Sequence, residues 1–288
     1  MIGMKGNGQL HARPILVLGG TGKTGRRVAG RLRARGLPVR PGSRSGEPPF
    51  DWGRPETWGP ALYGTRAAYI CYYPDLAVPG AVEAVASFAR LAAGHDVRPL
   101  VLLSGRGEPE AEQAGQVVRE SGAEVTILRS TWFAQNFSED YMLEHVRSGV
   151  IALPAGETPE PFVDAGDIAD VAVAALTDGR HAGETYELTG PRLLTFADAA
   201  EEISRAAARK IRYLPISIDE HAAAAAEQGV PAEVIDLLSY LFSKVLDGRN
   251  ARLADGVQRA LGRQPRDFAD YARQAAASGV WNASPAIA

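Results

Sequence analysis

The sequence predicts an α/β fold: a Rossmann-type parallel sheet flanked by helices, with a smaller, mostly helical C-terminal lobe. Three observations carry this. Short continuous apolar runs alternate with helix-period segments through the first half of the chain, the pattern of βαβ units on a parallel sheet. The first apolar run ends in a glycine-rich turn that opens a helix. After about residue 130 the alternation gives way to helical patterns. The implied division is 14–150 for the Rossmann domain and 151–288 for a substrate lobe with segments returning to the sheet.

Each element has a local reason. Pro14 to Leu18 is apolar without interruption, as a strand buried on both faces should be. Gly25, Val28, Ala29 and Leu32 then recur at helical spacing. Leu37-Pro38-Val39-Arg40 begins a second strand, and residues 41–60, rich in Gly, Pro and Ser, form a long turn region. Ala67 to Tyr72 is the next strand, and a helix is expected over Ala81 to Ala93. Leu100 to Leu103 is another buried strand. Residues 109–121 read as helix and Glu124 to Leu128 as strand. Trp132 to Arg147 reads as one helix carrying several aromatics. Asp167 is placed to cap a helix running through Leu176, because a carboxylate accepts from the open N–H groups of a first turn. Thr185 to Leu188 is a short strand. Val234, Leu237, Leu238, Leu241 and Val245 form one apolar stripe late in the chain, and Ala222 to Ala226 is a strong helix former. No internal repeat or low-complexity linker appears.

Composition narrows the function classes. The 288 residues are 45% hydrophobic and 23% charged, ordinary for a globular protein. The net charge of −3 gives no basic excess to neutralise phosphates, so a nucleic-acid partner is not expected. Cys71 is the one cysteine, and the five histidines (His11, His95, His145, His181, His221) form no paired ligand spacing. Neither a disulfide framework nor a metal site is expected. No apolar run approaches the roughly 18–20 residues that cross a bilayer, and residues 1–13 lack the apolar core of a signal peptide. The expected setting is cytoplasmic, with no membrane partner. The sequence leaves the oligomeric state open.

The most informative segment is Gly19-Gly20-Thr21-Gly22-Lys23-Thr24-Gly25. It is GxxGxxG between a buried strand and an amphipathic helix. Missing Cβ atoms permit the tight turn, close approach of backbone to a pyrophosphate, and close packing of helix on strand. The helix N-terminus presents N–H groups and a positive dipole end to phosphate. In that turn Gly19, Thr21, Gly22, Lys23, Thr24 and Gly25 are the candidate dinucleotide-binding residues. A P-loop fails on register, because its first glycine would fall at Val17. The end of the second strand refines the cofactor. Folds that select NAD place a carboxylate there for the ribose 2′-OH. Here the segment is Pro41-Gly42-Ser43-Arg44-Ser45. Arg44 can pair with a 2′-phosphate, and Ser43 and Ser45 can donate to it, which favours NADP(H). Lys23 and Arg26 either add positive charge near the phosphates or are simply solvated.

These residues, with Phe50-Asp51-Trp52, Leu102 to Glu108, Leu128 to Phe137, Pro161 to Ala169 and Leu261 to Phe268, resemble the NmrA-like, atypical short-chain dehydrogenase/reductase family. The likeness spans roughly 14–275 and is nearest to the branch of ergot-alkaloid reductases, the agroclavine and festuclavine dehydrogenase type. The resemblance implies that Asp51 sits by the adenine, that Tyr72 and Tyr73 border the nicotinamide ribose, and that Ser104 closes the nicotinamide side. It further implies that Trp132, Gln135 and Asn136, with Tyr73, face a small-molecule substrate. The family commonly carries Pro after Arg129, where this chain has Ser130-Thr131.

Ordinary short-chain dehydrogenases use Tyr-x-x-x-Lys, a phenol that donates a proton and a lysine that lowers its pKa. Only Tyr240 has a lysine four residues on, Lys244, and that pair lies far past the strand that should precede it. It reads as a packing residue and a surface lysine. Between Gly105 and Gln116 there is neither tyrosine nor lysine. An iminium substrate needs no such relay, because hydride addition to C=N⁺ gives a neutral amine directly. The expectation is an NADPH-dependent reductase of an imine, iminium or similarly activated small molecule, in specialised metabolism. Tyr72, Tyr73, Ser104 and Asn136, with Asp164, are candidates for catalytic help. Two other classes fit the same residues: a non-catalytic NAD(P)-binding redox sensor, and a redox-neutral isomerase or cyclase on the same scaffold. Bland roles are expected for the rest. His145 is surface or pocket wall, Cys71 a small inert hydrophobe, and Trp52 and Trp58 pack the long loop.

Overall fold

The structure, a computed structural model, describes residues 13–282. The targeting-signal reading of the N-terminus and His11 therefore lie outside the described residues, Arg13 apart. The chain forms two compact units. The first takes the chain up to Ser130 together with Ala165–Leu188 and Asp255–Arg263; the second takes Thr131–Asp164, Thr189–Ala254 and the chain from Gln264 onward. The switch thus comes at 130, where the last strand of the first half ends, and not at the expected 150.

The first unit is built on β1 (Ile15–Leu18), β2 (Val39–Gly42), β3 (Ala67–Ile70), β4 (Leu100–Gly105), β5 (Val125–Ser130) and a strand from late in the chain, Thr185–Leu188. All pair in parallel, in the order β2-β1-β3-β4-β5 and then Thr185–Leu188. Successive side chains of a strand point to opposite faces, and here both faces are covered. Leu16, Leu18, Ala68, Ile70, Leu100, Leu102 and Ile127 are buried on one face with Phe50, Trp58 and the helices α3 (Ala81–Gly94) and α4 (Pro109–Arg119); the short α2 (Trp58–Leu62) joins them. Ile15, Val17, Val101 and Leu128 are equally buried, on the side where α1 (Gly25–Ala34) packs against the helix Ala165–Thr177. Double coverage is why these strands read as unbroken apolar runs.

In the second unit the expected single helix over 132–147 is corrected. The structure has α5 (Asn136–Glu139) and α6 (Met142–Ser148), broken by Asp140 in extended conformation. Residues 131–135 are not helical. Their backbone bonds to a distant segment instead: Ala134 N–H donates to the Val163 carbonyl and Val163 N–H to the Trp132 carbonyl. β6 (Val150–Leu153) follows, then α7 (Ala165–Thr177) and β7 (Thr185–Leu188) of the first unit. Next come α8 (Phe196–Ala207), β8 (Arg212–Pro215), α9 (Ile218–Glu227) and α10 (Ala232–Tyr240). α11 (Gly256–Leu261) belongs to the first unit and α12 (Phe268–Ala277) to the second. β6 and β8 make a separate parallel pair. The core is aromatic: Phe137, Phe162, Phe196, Phe268 and Trp281 are buried together, and the Trp281 indole donates to the Phe137 carbonyl at 2.8 Å. Capping boxes at Thr195/Asp198 and Ser217/Glu220 start α8 and α9. Of the expected late apolar stripe, Val245 is buried, Leu237, Leu238 and Leu241 are half-buried, and the buried aromatic beside them is Phe242.

Asp167 is not the residue that precedes its helix. α7 begins two residues earlier, and Asp167 is fully buried in its first turn, where it accepts from Arg263 at 2.7 Å. No helix among the described residues is long and apolar enough to cross a membrane, and none of their side chains group as a metal site.

Candidate functional site

Strand order locates the site before any side chain does. In a doubly wound sheet, ligands bind outside the carboxyl ends of the strands where the order reverses. Here β1 leads outward to β2, and the chain then returns past it to β3. The reversal lies between β1 and β3. The glycine turn leaves the carboxyl end of β1, and Cys71 to Tyr73 leave that of β3.

The turn has the close packing a dinucleotide site requires. Gly19 sits at φ +62°, a left-handed conformation that a side chain would strain. Gly22 N–H closes the turn on the Gly19 carbonyl at 2.8 Å. At Gly25 a Cβ would stand 2.1 Å from the Gly19 carbonyl oxygen, so only glycine lets α1 start against the turn. No side chain caps α1 at Thr24. Thr21 and Gly22 are exposed, whereas Thr24 is buried with its hydroxyl on the Cys71 thiol. Thr24 can therefore offer a ligand its backbone but not its side chain. These residues fit a dinucleotide: a cradle closed to any Cβ on its inner side, exposed backbone on its outer side, and a helix start at its end.

At the carboxyl end of β2, Arg44 is exposed and Ser43 half-buried, its hydroxyl 3.4 Å from that of Ser45. Asp51 holds its own loop: one carboxylate oxygen accepts from Gly53 N–H at 2.9 Å, and its carbonyl accepts from the Trp58 indole at 2.9 Å. Trp52 donates to the Cys71 carbonyl at 3.1 Å and packs on Tyr72, ring centroids 4.9 Å apart. The tryptophans thus pack the long loop as expected, and tie it to the end of β3. Burial raises the Tyr72 phenol above its ordinary pKa and pushes the Cys71 thiol up to about 11. The thiol is therefore a poor nucleophile at neutral pH. Tyr73 is 79% exposed.

Ser104 is 3% exposed, and its hydroxyl donates to the Ala111 carbonyl of α4 at 3.1 Å. That hydrogen bond anchors a helix, and it removes the hydroxyl proton from consideration as an acid. Two carboxyl groups that sequence reasoning gave no role do stand at these strand ends. Asp75, beyond β3, and Glu108, beyond β4, bear on each other through their carboxyl groups. Burial first, and then the neighbouring Asp75, push Glu108 up to about 9. The available signal was an acidic residue just past the ends of two strands that prove to be neighbours.

The second unit gathers Trp132, Gln135 and Asn136 with Asp164. Trp132 is half-buried against Phe242 and Phe196, at centroid distances of 4.9 and 5.8 Å. The Gln135 amide donates to Asp164 at 2.9 Å, and both residues are buried. Asn136 begins α5 and is half-buried. Tyr240 ends α10 in this unit, and Lys244 is exposed in the π-helical segment Leu241–Val245 that continues from it. His145 accepts from Ala152 N–H and is half-buried, and His221 is buried edge-on to Phe242. Burial lowers the pKa of both imidazoles, and the neighbouring His145 adds to the effect at His221.

No family model matches the chain. An agroclavine dehydrogenase of Claviceps fusiformis is 30% identical over 275 residues, covering 89% of this chain and 95% of its own. An NAD(P)H azoreductase of Xenophilus azovorans is 31% identical over 285 residues, covering 92% and 98%. Among solved structures, a Citrobacter triphenylmethane reductase complexed with NADP(H) has a TM-score of 0.71 at 20% identity, covering 91% of this chain and 99% of its own. That last likeness speaks to the fold.

Proposed function

The chain belongs to the NmrA-like, atypical short-chain dehydrogenase/reductase family, and from that premise we propose that it is an NADPH-dependent reductase of an imine, iminium or similarly activated small molecule. One observation carries the reading. A well-formed dinucleotide turn lies at the switch point of the sheet, while the strand end that would hold a proton relay has none.

When bound, the dihydronicotinamide supplies a hydride. The residues of the turn would hold its pyrophosphate through backbone N–H groups and the start of α1. Arg44 and Ser43 would take a 2′-phosphate. Tyr72, fixed by Trp52, would border the nicotinamide ribose, and Ser104 would act by anchoring the strand end to α4. Trp132, Gln135 and Asn136 would bound the substrate. An iminium carbon that accepts hydride becomes a neutral amine and asks no proton of the protein, so orientation is the main contribution left to make. A relative named as an azoreductase agrees with an acceptor that is an unsaturated nitrogen group.

The test is fluorescence titration with NADPH and NADH, then turnover of a cyclic imine and the ketone of the same ring. A positioned general acid is worth about 10²–10⁴ in rate. The imine should therefore exceed the ketone in kcat/KM by at least about 100-fold. Equal turnover of the ketone would refute the reading. Failure to bind either nucleotide would remove it altogether and leave a redox-neutral use of the scaffold.

A further inference from the structure

Asp75 and Glu108 come from different loops, and strand pairing is what brings them together. β3 and β4 are parallel neighbours, with Ile70 opposite Leu102. The chain beyond β3 carries Tyr72, Tyr73 and then Asp75. The chain beyond β4 passes Gly105 and reaches Glu108, which precedes the first turn of α4; Glu112 N–H donates to the Glu108 carbonyl. Both backbones are fixed at the point of contact. Asp75 is held by Ala77 N–H, which donates to its carboxylate at 2.9 Å.

The strand end is shaped around the Glu108 carboxyl group. A Cβ at Gly105 would fall 2.1 Å from Oε1 and 2.4 Å from Oε2. Glu108 is 7% exposed, and its Oε2 has no hydrogen-bond partner. A carboxylate in that position would carry an unsolvated charge beside a second carboxylate, whereas a neutral carboxylic acid needs only one good acceptor. Asp75 is that acceptor. Two neighbouring like charges away from water oppose each other's ionisation. The other charged and titratable groups that bear on the pair are Glu110, which opposes ionisation of both, and the Cys71 thiol, which feels Lys23 of the glycine turn.

We propose that Asp75 and Glu108 share one proton, and that this clasp positions the Tyr72–Tyr73 segment against Ser104 and Gly105 on the nicotinamide side of the site. The positioning role rests on the cofactor reading above; the clasp itself does not. Glu108 is the acid of the pair and Asp75 the anion. Removing the shared proton leaves two negative charges where there was a hydrogen bond, so the two strand ends part. Glu108 and Asp75 are positioning residues, and no proton passes from them to substrate.

The whole protein is used for the test, in two arms. The first is an infrared pH titration without cofactor. The carbonyl band of a protonated carboxylic acid should be present at neutral pH, vanish as pH rises through about 9, and be missing in Glu108→Gln. Absence of the band from the wild type, or its survival in that variant, overturns the clasp. Asp75→Asn is the second variant: with the anion gone, the band should disappear at lower pH, and an unmoved transition overturns the pairing. The second arm is NADPH affinity against pH. The wild type should weaken at least about tenfold across the same transition, as paired carboxyl groups that both ionise repel. Glu108→Gln keeps the donor and cannot ionise, so it should hold its affinity flat across that range. The same alkaline loss in the glutamine variant overturns the positioning role. No NADPH binding at any pH removes the cofactor reading and the positioning role together, and the infrared arm still decides the clasp.

Discussion

Alanine at two glycines of the same helix should move stability in opposite directions. At Gly25 the new Cβ would stand 2.1 Å from the Gly19 carbonyl oxygen and 2.6 Å from its carbon. Both neighbours are backbone, so no side chain can swing aside. Ordinary contact requires the helix start or the turn to retreat by about 1.3 Å. Overpacking of this kind costs about 1–3 kcal/mol, and the rigid neighbours put Gly25→Ala at the upper end, near ~3 kcal/mol. At Gly30, one and a half turns on, an added Cβ meets nothing within 4 Å. There the helix propensity of alanine should stabilise by about 0.8–1 kcal/mol. Urea unfolding of the two variants beside the wild type reads both effects. The same displacement also takes the turn's N–H groups out of hydrogen-bond range of a pyrophosphate. Gly25→Ala should therefore weaken NADPH at least about tenfold, a loss of roughly 1.4 kcal/mol. Gly30→Ala should leave NADPH binding unchanged. A Gly25→Ala protein with wild-type stability and affinity would refute the account of the turn.

Arg44→Ala should weaken NADPH by roughly 10- to 100-fold, the worth of a charge-assisted phosphate contact of about 1.5–3 kcal/mol. NADH affinity should stay level, and parallel titrations with the two nucleotides check this; a parallel loss for NADH would mean that Arg44 does not read the 2′-phosphate. In the second unit His145 and His221 both have folded pKa values below the ordinary 6.5. The unfolded chain then binds protons more readily than the folded one. The stability these histidines contribute is whole above pH 6.5 and is lost as pH falls from there through the folded values. Thermal unfolding from pH 8 to 4.5 should show a steeper acid decline in the wild type than in the His145→Gln/His221→Gln double variant, and parallel curves would contradict the assignment.

What was legible in the sequence was local. The run Ile15–Leu18, the glycine spacing after it and the apolar positions of α1 are all contiguous, and each answers to short-range sterics or to burial on both faces of a sheet. The misreadings involve partners far along the chain. Residues 132–147 have a helical composition, yet Val163 takes the backbone groups of Trp132 and Ala134, and Asp140 interrupts what remains. Asp167 looks like a cap because its neighbours do not reveal Arg263, its partner across 96 positions. The Ser104 hydroxyl turns to the Ala111 carbonyl, a direction that strand alternation alone does not give. The Asp75–Glu108 pair needed the knowledge that β3 and β4 are neighbours. The candidate site therefore divides in the same way. Its phosphate-binding half lies within one strand, turn and helix and can be read directly. Its nicotinamide half depends on three strand ends and could be named only through family likeness.

That division bears on chemistry. Three polar groups at the ends of β3 and β4 that carry a proton are constrained. Ser104 is engaged with α4. Tyr72 has a raised phenol pKa and no lysine beside it in sequence. Glu108 holds its proton toward Asp75. Groups held in this way keep strand ends and rings in place, and none of the three is free to protonate a nascent alkoxide. Selection among acceptors then falls to the acceptor's own electronics. Under the proposed function, groups already cationic, or polarised enough to take hydride unaided, are the expected acceptors, and a simple carbonyl is not. The contribution to rate that the proposed function asks of the protein is the alignment of two bound molecules, for which effective molarities of about 10⁵–10⁸ M are attainable without any proton transfer.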